Sequence, residues 1–171
     1  MSRMSLMLKA AAAAAFLMTA AIPAQAQSQS LNSEQAMAAL KAVQAYATKD
    51  GSDVSMTVVD RDGNIVLMLR GDTAAPHNLG LSRRKALTAN MFKMRSIDWR
   101  DRTKPGSPQA DERNTPDAIP LGGGVPIKVG DEVIGAVGVS GTKGGQEGDT
   151  ACAQAGADGA AAMVKRLQAQ N

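Results

Sequence analysis

The sequence predicts a single α/β domain of the α+β kind, with a five-stranded, mostly antiparallel sheet flanked by α-helices. Three observations carry this. Helix-period and strand-period segments follow in the order helix, strand, strand, helix, three strands, helix. Two strand pairs are joined by residues that tight turns require, Arg61-Asp62-Gly63-Asn64 and Gly130-Asp131. The stretch Gly122 to Gly141, GGGVPIKVGDEVIGAVGVSG, contains a strand with no polar face, as expected of a central strand covered on both sides.

Residues 1–26 read as a secretory signal peptide. Arg3 and Lys9 make a basic start, Ala10 to Ala21 is an apolar run too short to span a bilayer, and Ala24-Gln25-Ala26 is a small-x-small cleavage site. The expected product is one domain, residues 27–171, periplasmic or secreted, with no stable membrane anchor after cleavage. Without Arg3 and Lys9, 17 basic groups face 16 acidic ones, a net charge of +1, which gives no reason to expect a nucleic-acid partner. Cys152 is the one cysteine, so no intramolecular disulfide can form, and an exported domain must then rely on its own core or on oligomerising. Beyond the leader the aromatics are Tyr46, Phe92 and Trp99, too few for a large aromatic cage.

After a polar leader, Gln27 to Ser30, Asn32 or Ser33 caps a helix with the stripe Ala36, Leu40, Val43 and Ala47, and Gly51 ends it. Asp53 to Asp60 is a strand with Val54, Met56 and Val58 on one face. Ile65 to Arg70 returns antiparallel to it, with Ile65, Leu67 and Leu69 on one face. Gly71 to Asn78 reads as a loop holding His77, the single histidine. Leu79 to about Arg95 reads as a helix facing the core with Leu87, Met91 and Met94, beside the small Ala86 and Ala89. Lys104 to Pro116, broken by Pro105 and Pro108, reads as a long loop, a candidate lid. Asp117 to Leu121 is then the third strand, Val125 to Val129 the fourth and Glu132 to Ser140 the fifth. In the fifth, Val133, Gly135, Val137 and Val139 share one face and Ile134, Ala136 and Gly138 the other. Gly135 and Gly138 mark places where another group comes close. Thr142 to Gly148 is a glycine-rich loop. Asp149 or Thr150 caps a last helix, which packs through Cys152, Ala155, Gly156, Gly159, Met163 and Leu167.

No hydrolase, zinc-protease or nucleotide-loop motif is present. Gly122, Gly123 and Gly124 have the form of an anion nest or of a strand bend. Eight cations lie between Arg83 and Lys104, opposed by Asp98 and Asp101, and read either as a solvated face or as partners for an anionic ligand. His77 is either a solvated side chain or a ligand for a metal or haem iron.

Four stretches resemble, in order, the GlcG/HbpS-like haem-binding and haem-degrading family, which includes the C-terminal domain of PduO-type corrinoid adenosyltransferases. They are VSMTVVDRDGNIVLMLRGD, SRRKALTA, GGGVPIKVGDEVIGAVGVSG and DTACAQAGADGA. The resemblance implies a profilin-like domain with a five-stranded antiparallel sheet. It implies ring-like homo-oligomers, commonly octamers, and binding of haem or a related tetrapyrrole. Lys85 matches the family's recurrent helix lysine, and Gly122, Gly123, Gly124 and Pro126 match its glycine-rich approach to a strand. His77 becomes the iron-ligand candidate, with Met91 and Met94 as alternatives that read better as core. Arg83, Arg84 and Lys85 become candidate partners for the propionates, with the ligand near the Gly122–Gly124 bend. Two rival functions stand beside an extracytoplasmic haem carrier or sink. One is an enzyme or binding protein for a small organic acid, using His77, Asp60 or Asp117 as a base. The other is an oligomer without a ligand.

Overall fold

The computed structural model describes residues 30–170; the expected signal peptide and most of the polar leader lie outside them. In chain order the elements are α1 (Ser33–Asp50), β1 (Ser55–Asp60), β2 (Ile65–Leu69), α2 (Pro76–Phe92), α3 (Ser96–Arg102), a 3-10 turn (Ala110–Asn114), β3 (Gly124–Val129), β4 (Glu132–Ser140) and α4 (Gly145–Gln168). The sheet is antiparallel in the order β2-β1-β4-β3. α1 and α4 pack together on one face, and α2 covers the other. β4 is therefore central and sandwiched, as its two apolar faces require. No helix among the described residues is long and apolar enough to cross a membrane.

The local signals explain most boundaries. Asn32 caps α1 in a reciprocal pair with Gln35, each side chain bonded to the other's backbone N–H, and Gly51 closes the helix in the left-handed region. Asp60 accepts hydrogen bonds from the N–H groups of Asp62 and Asn64, which ties the β1–β2 turn. The main core joins Ala36, Ala39 and Val43 of α1, Met56 and Val58 of β1, Val137 and Val139 of β4, and Ala153, Ala157 and Ala160 of α4. Its alanines and glycines let α1 and α4 touch closely. A Cβ at Gly159 would stand 2.9 Å from the Cβ of Ala42.

Five expectations are corrected. The sheet has four strands, because 117–121 is not one. Asp117 is left-handed at φ 63°, Ala118 donates back to Thr115 and Leu121 to Ile119, and the Ile119 N–H is taken by the Thr88 hydroxyl. A backbone bonded to itself and to a helix has no ladder to offer. α2 begins at Pro76, a residue suited to the first helical position, so His77 lies in its first turn and not in a loop.

α2 is also rotated from the expected face. It buries Ser82, Lys85, Ala86, Thr88, Ala89 and Asn90, while Met91 is exposed. The buried hydroxyls are satisfied, Ser82 with Thr57 at 2.9 Å and Thr88 with the Arg84 carbonyl at 2.8 Å. The stretch expected as an open loop holds the 3-10 turn and follows α3. Trp99 of α3 is fully buried, stacked on Phe92 at 4.7 Å and bonded to Glu112 of the 3-10 turn. Finally, the β3–β4 pairing shifts register between Ile127 and Lys128, and Ile134 packs with Val137 and Val139 instead of with Ala136.

Candidate functional site

The glycine-rich approach to β3 and the basic segment of α2 meet inside the protein. Lys85 points inward and its ammonium donates to Asp149 at 2.6 Å and to the Val139 carbonyl at 3.1 Å. The side chains of this pair are 3% and 7% exposed. The other oxygen of Asp149 accepts from the N–H groups of Gly141 and Thr142 and from the Thr142 hydroxyl, all within 3.0 Å. Asp149 thus sits within α4, not at its cap, and ties the turn after β4 to α2. Burial pushes the Lys85 ammonium below its ordinary value, and the Asp149 carboxylate opposes that.

The glycines are shaped by this knot. Gly123 takes φ 120°, and a Cβ on it would lie 2.5 Å from the Val139 oxygen and 2.9 Å from both Asp149 and Lys85. A Cβ at Gly124 would overlap the backbone carbonyl of Lys85. Two N–H groups of the expected nest are already bonded within the chain. Gly122 donates to Gln146 at 2.7 Å and Gly124 to the Ser96 hydroxyl at 2.8 Å. Gln146 also receives Arg100 at 2.9 Å.

The remaining expected residues face outward. His77 is exposed in the first turn of α2, and nothing among the described residues bonds its ring. Arg84 is exposed seven residues on, two turns along the same stripe, with Gly80 between them. Its guanidinium donates to the Ala118 carbonyl at 2.6 Å. Arg83 pairs with Asp117 at 2.8 Å. The structure therefore separates the expected set into two. Lys85 and Gly122–Gly124 form a buried knot, while His77 and Arg84, with Arg83 beside them, occupy the outer surface of α2. Of the other candidate bases, Asp60 is engaged in its turn and Asp117 with Arg83.

Sequence reading missed Asp149, Gln146 and Ser96. Asp149 had a signal. It lies on the same stripe of α4 as the buried Cys152, Ala153, Gly156 and Ala160, and a carboxylate on a small-residue packing face needs a cation. Ser96 and Gln146 had none, because their partners are backbone groups 28 and 24 residues away. Among the described residues no three His, Cys, Asp or Glu side chains are grouped to hold a metal ion.

Comparison with known proteins places this architecture. A family described as haem degrading protein, HbpS-like, matches residues 31–158. Protein GlcG of Escherichia coli K12 is 34% identical over 110 residues, which span 64% of this chain and 81% of that one. The crystal structure of Klebsiella pneumoniae protein ORFY superposes with a TM-score of 0.74 at 33% identity, covering 80% of this chain and 94% of its own. HbpS superposes at 0.71 and 33%, covering 77% and 91%. A haem complex of PduOC shares the fold, at 0.67 and 23% identity over 74% and 91% of the two chains.

Proposed function

We propose that this chain, which belongs to the HbpS-like family, binds haem or a related tetrapyrrole as an extracytoplasmic carrier or sink that supports haem degradation. The match to the family over residues 31–158 carries the reading. The signal-like residues 1–26 support the location.

The outer stripe of α2 fits such a ligand. The His77 ring is a free nitrogen donor of the kind that holds haem iron. Arg84 stands about 10 Å along the helix axis, at 1.5 Å per residue, and its exposed guanidinium keeps N–H groups for a carboxylate beyond the one given to Ala118. Gly80 between them has nothing within 4 Å of where a Cβ would be, so the stripe is unobstructed where a planar ring would lie. Arg83 is a second cation for a propionate, in exchange for Asp117. Lys85 and Gly122–Gly124 act beneath the site, by fixing α2 to the sheet. Haem, when bound, supplies the iron and its redox chemistry; the chain supplies orientation and charge.

A homo-oligomer is part of this proposal, and β2 is the element suited to it. Ile65, Met68 and Leu69 are exposed along that sheet edge. The opposite edge is closed, since the Gly124 N–H is given to Ser96 and Pro126 has no N–H.

Titration of hemin into the purified protein, followed at the Soret band, tests the reading. A saturable shift that His77→Ala changes in position is expected. A protein that stays folded and gives no saturable shift would rule it out.

A further inference from the structure

A groove of about 390 Å³ runs along the outer edge of β3, between the α2–α3 corner and α4. Its apolar lining comes from two elements. Val125 and Pro126 come from the strand, and Ala157 and Ala161 from successive turns of α4. Lys93, Arg95 and Lys128 stand around it, as do the carboxylates of Asp98 and Asp158. Arg95 and Asp98 cancel one another through two hydrogen bonds of 2.7 Å. Asp158 accepts from the Gln154 amide at 2.9 Å. Lys93 and Lys128 are exposed, and among the described residues neither has a carboxylate partner. Lys93 is set by the left-handed end of α2, at φ 54°, and Lys128 follows the register shift in β3.

A peptide strand is a poor occupant. The Gly124 N–H is spent on Ser96 and Pro126 has none, so this stretch of β3 offers an added strand no donor at either residue. With Arg95 and Asp98 cancelling, Lys93 and Lys128 outweigh the one remaining carboxylate, Asp158, and this net positive charge beside apolar residues matches an anion with an apolar body. The volume lies near the small end of the roughly 300–1,000 Å³ typical of ligand pockets.

We propose that this groove binds a small carboxylic acid with a flat apolar ring. The ring rests on Val125, Pro126, Ala157 and Ala161, and the carboxylate lies between Lys93 and Lys128. The site shares no residue with the outer stripe of α2, and hemin binding can fail while this proposal stands.

The test uses 2-naphthoate and its uncharged counterpart 2-naphthamide, titrated into the purified ¹⁵N-labelled protein and followed by amide NMR shifts. Saturable naphthoate shifts are expected at Lys93, Arg95, Val125, Lys128 and Ala157, with naphthamide about fivefold weaker, as the loss of exposed charge pairing allows. Lys93→Glu and Lys128→Glu should each weaken naphthoate about threefold or more and leave naphthamide unchanged. Both positions are exposed, and an otherwise unchanged spectrum shows an intact fold. Equal binding of acid and amide, shifts confined to other surfaces, or naphthoate binding that survives the double charge reversal would overturn the proposal.

Discussion

Gly138 lies directly against the backbone of Ser82. A Cβ on it would overlap the Ser82 carbonyl oxygen and stand 2.6 Å from the Ala86 nitrogen. The central strand and α2 therefore touch backbone to backbone, which leaves no side chain to give way. Gly138→Ala should cost about 3 kcal/mol or more, read as a lowered urea midpoint. Gly80→Ala, on the open outer face of the same helix, should gain about 0.5–1 kcal/mol. Equal effects at the two sites would mean that α2 does not press on β4 as described.

Lys85 and Asp149 form the one ion pair among the described residues with both side chains under 10% exposed. Lys85→Met should destabilise by about 3–5 kcal/mol, since it strands a buried carboxylate. Combining it with Asp149→Leu should recover only part of that, because the N–H groups of Gly141 and Thr142 then lose their acceptor. Denaturant unfolding of the two single variants and the double variant measures the coupling.

Cys152 is fully buried beneath α1, with its sulfur 3.7 Å from the Val43 carbonyl. Burial, with the nearby Asp149 and Asp50 carboxylates, pushes its thiol up to about 12 from an ordinary value of 9.0. Below pH 9 the native and unfolded states both keep the proton. Above it the unfolded thiol ionises first, the native state binds more protons, and stability falls as pH rises toward 12. Iodoacetamide at pH 8.5 should leave the native thiol intact and label it in urea. The stability difference between the parent and Cys152→Ala should shrink between pH 8 and pH 10.5.

If β2 carries self-association, Ile65→Lys with Leu69→Lys should lower the mass measured by light scattering. Lys128→Ser at the opposite edge should not change it. Charges on an edge strand oppose pairing with a second strand.

Local chemistry made much of the fold readable. The β3–β4 hairpin falls where Gly130-Asp131 and the flanking apolar runs put it, and the Asn32 and Gly51 signals bound α1. The departures share a cause. The 117–121 segment has the residue types of a strand, but its backbone is bonded to Thr88, to Arg84 and to itself, contacts set by tertiary placement. α2 buries polar residues because Thr57 and Asp149 wait for them, so its apolar periodicity pointed to the wrong face. The candidate site was half readable. The inward lysine and the glycines were singled out together, but only the fold shows that they face away from His77 and Arg84.

The unequal edges of the sheet limit how it can grow. Head-to-tail strand addition needs two complementary free borders on each molecule, and among the described residues this sheet has one. Stacking through β3 is blocked by Ser96 and Pro126. Pairing through the sheet must then be β2 against β2 about a two-fold axis, which consumes the free border of both molecules at once. Such a contact terminates itself. At high local concentration the chain would thus be spared the open-ended fibre that a sheet with two bare borders can nucleate.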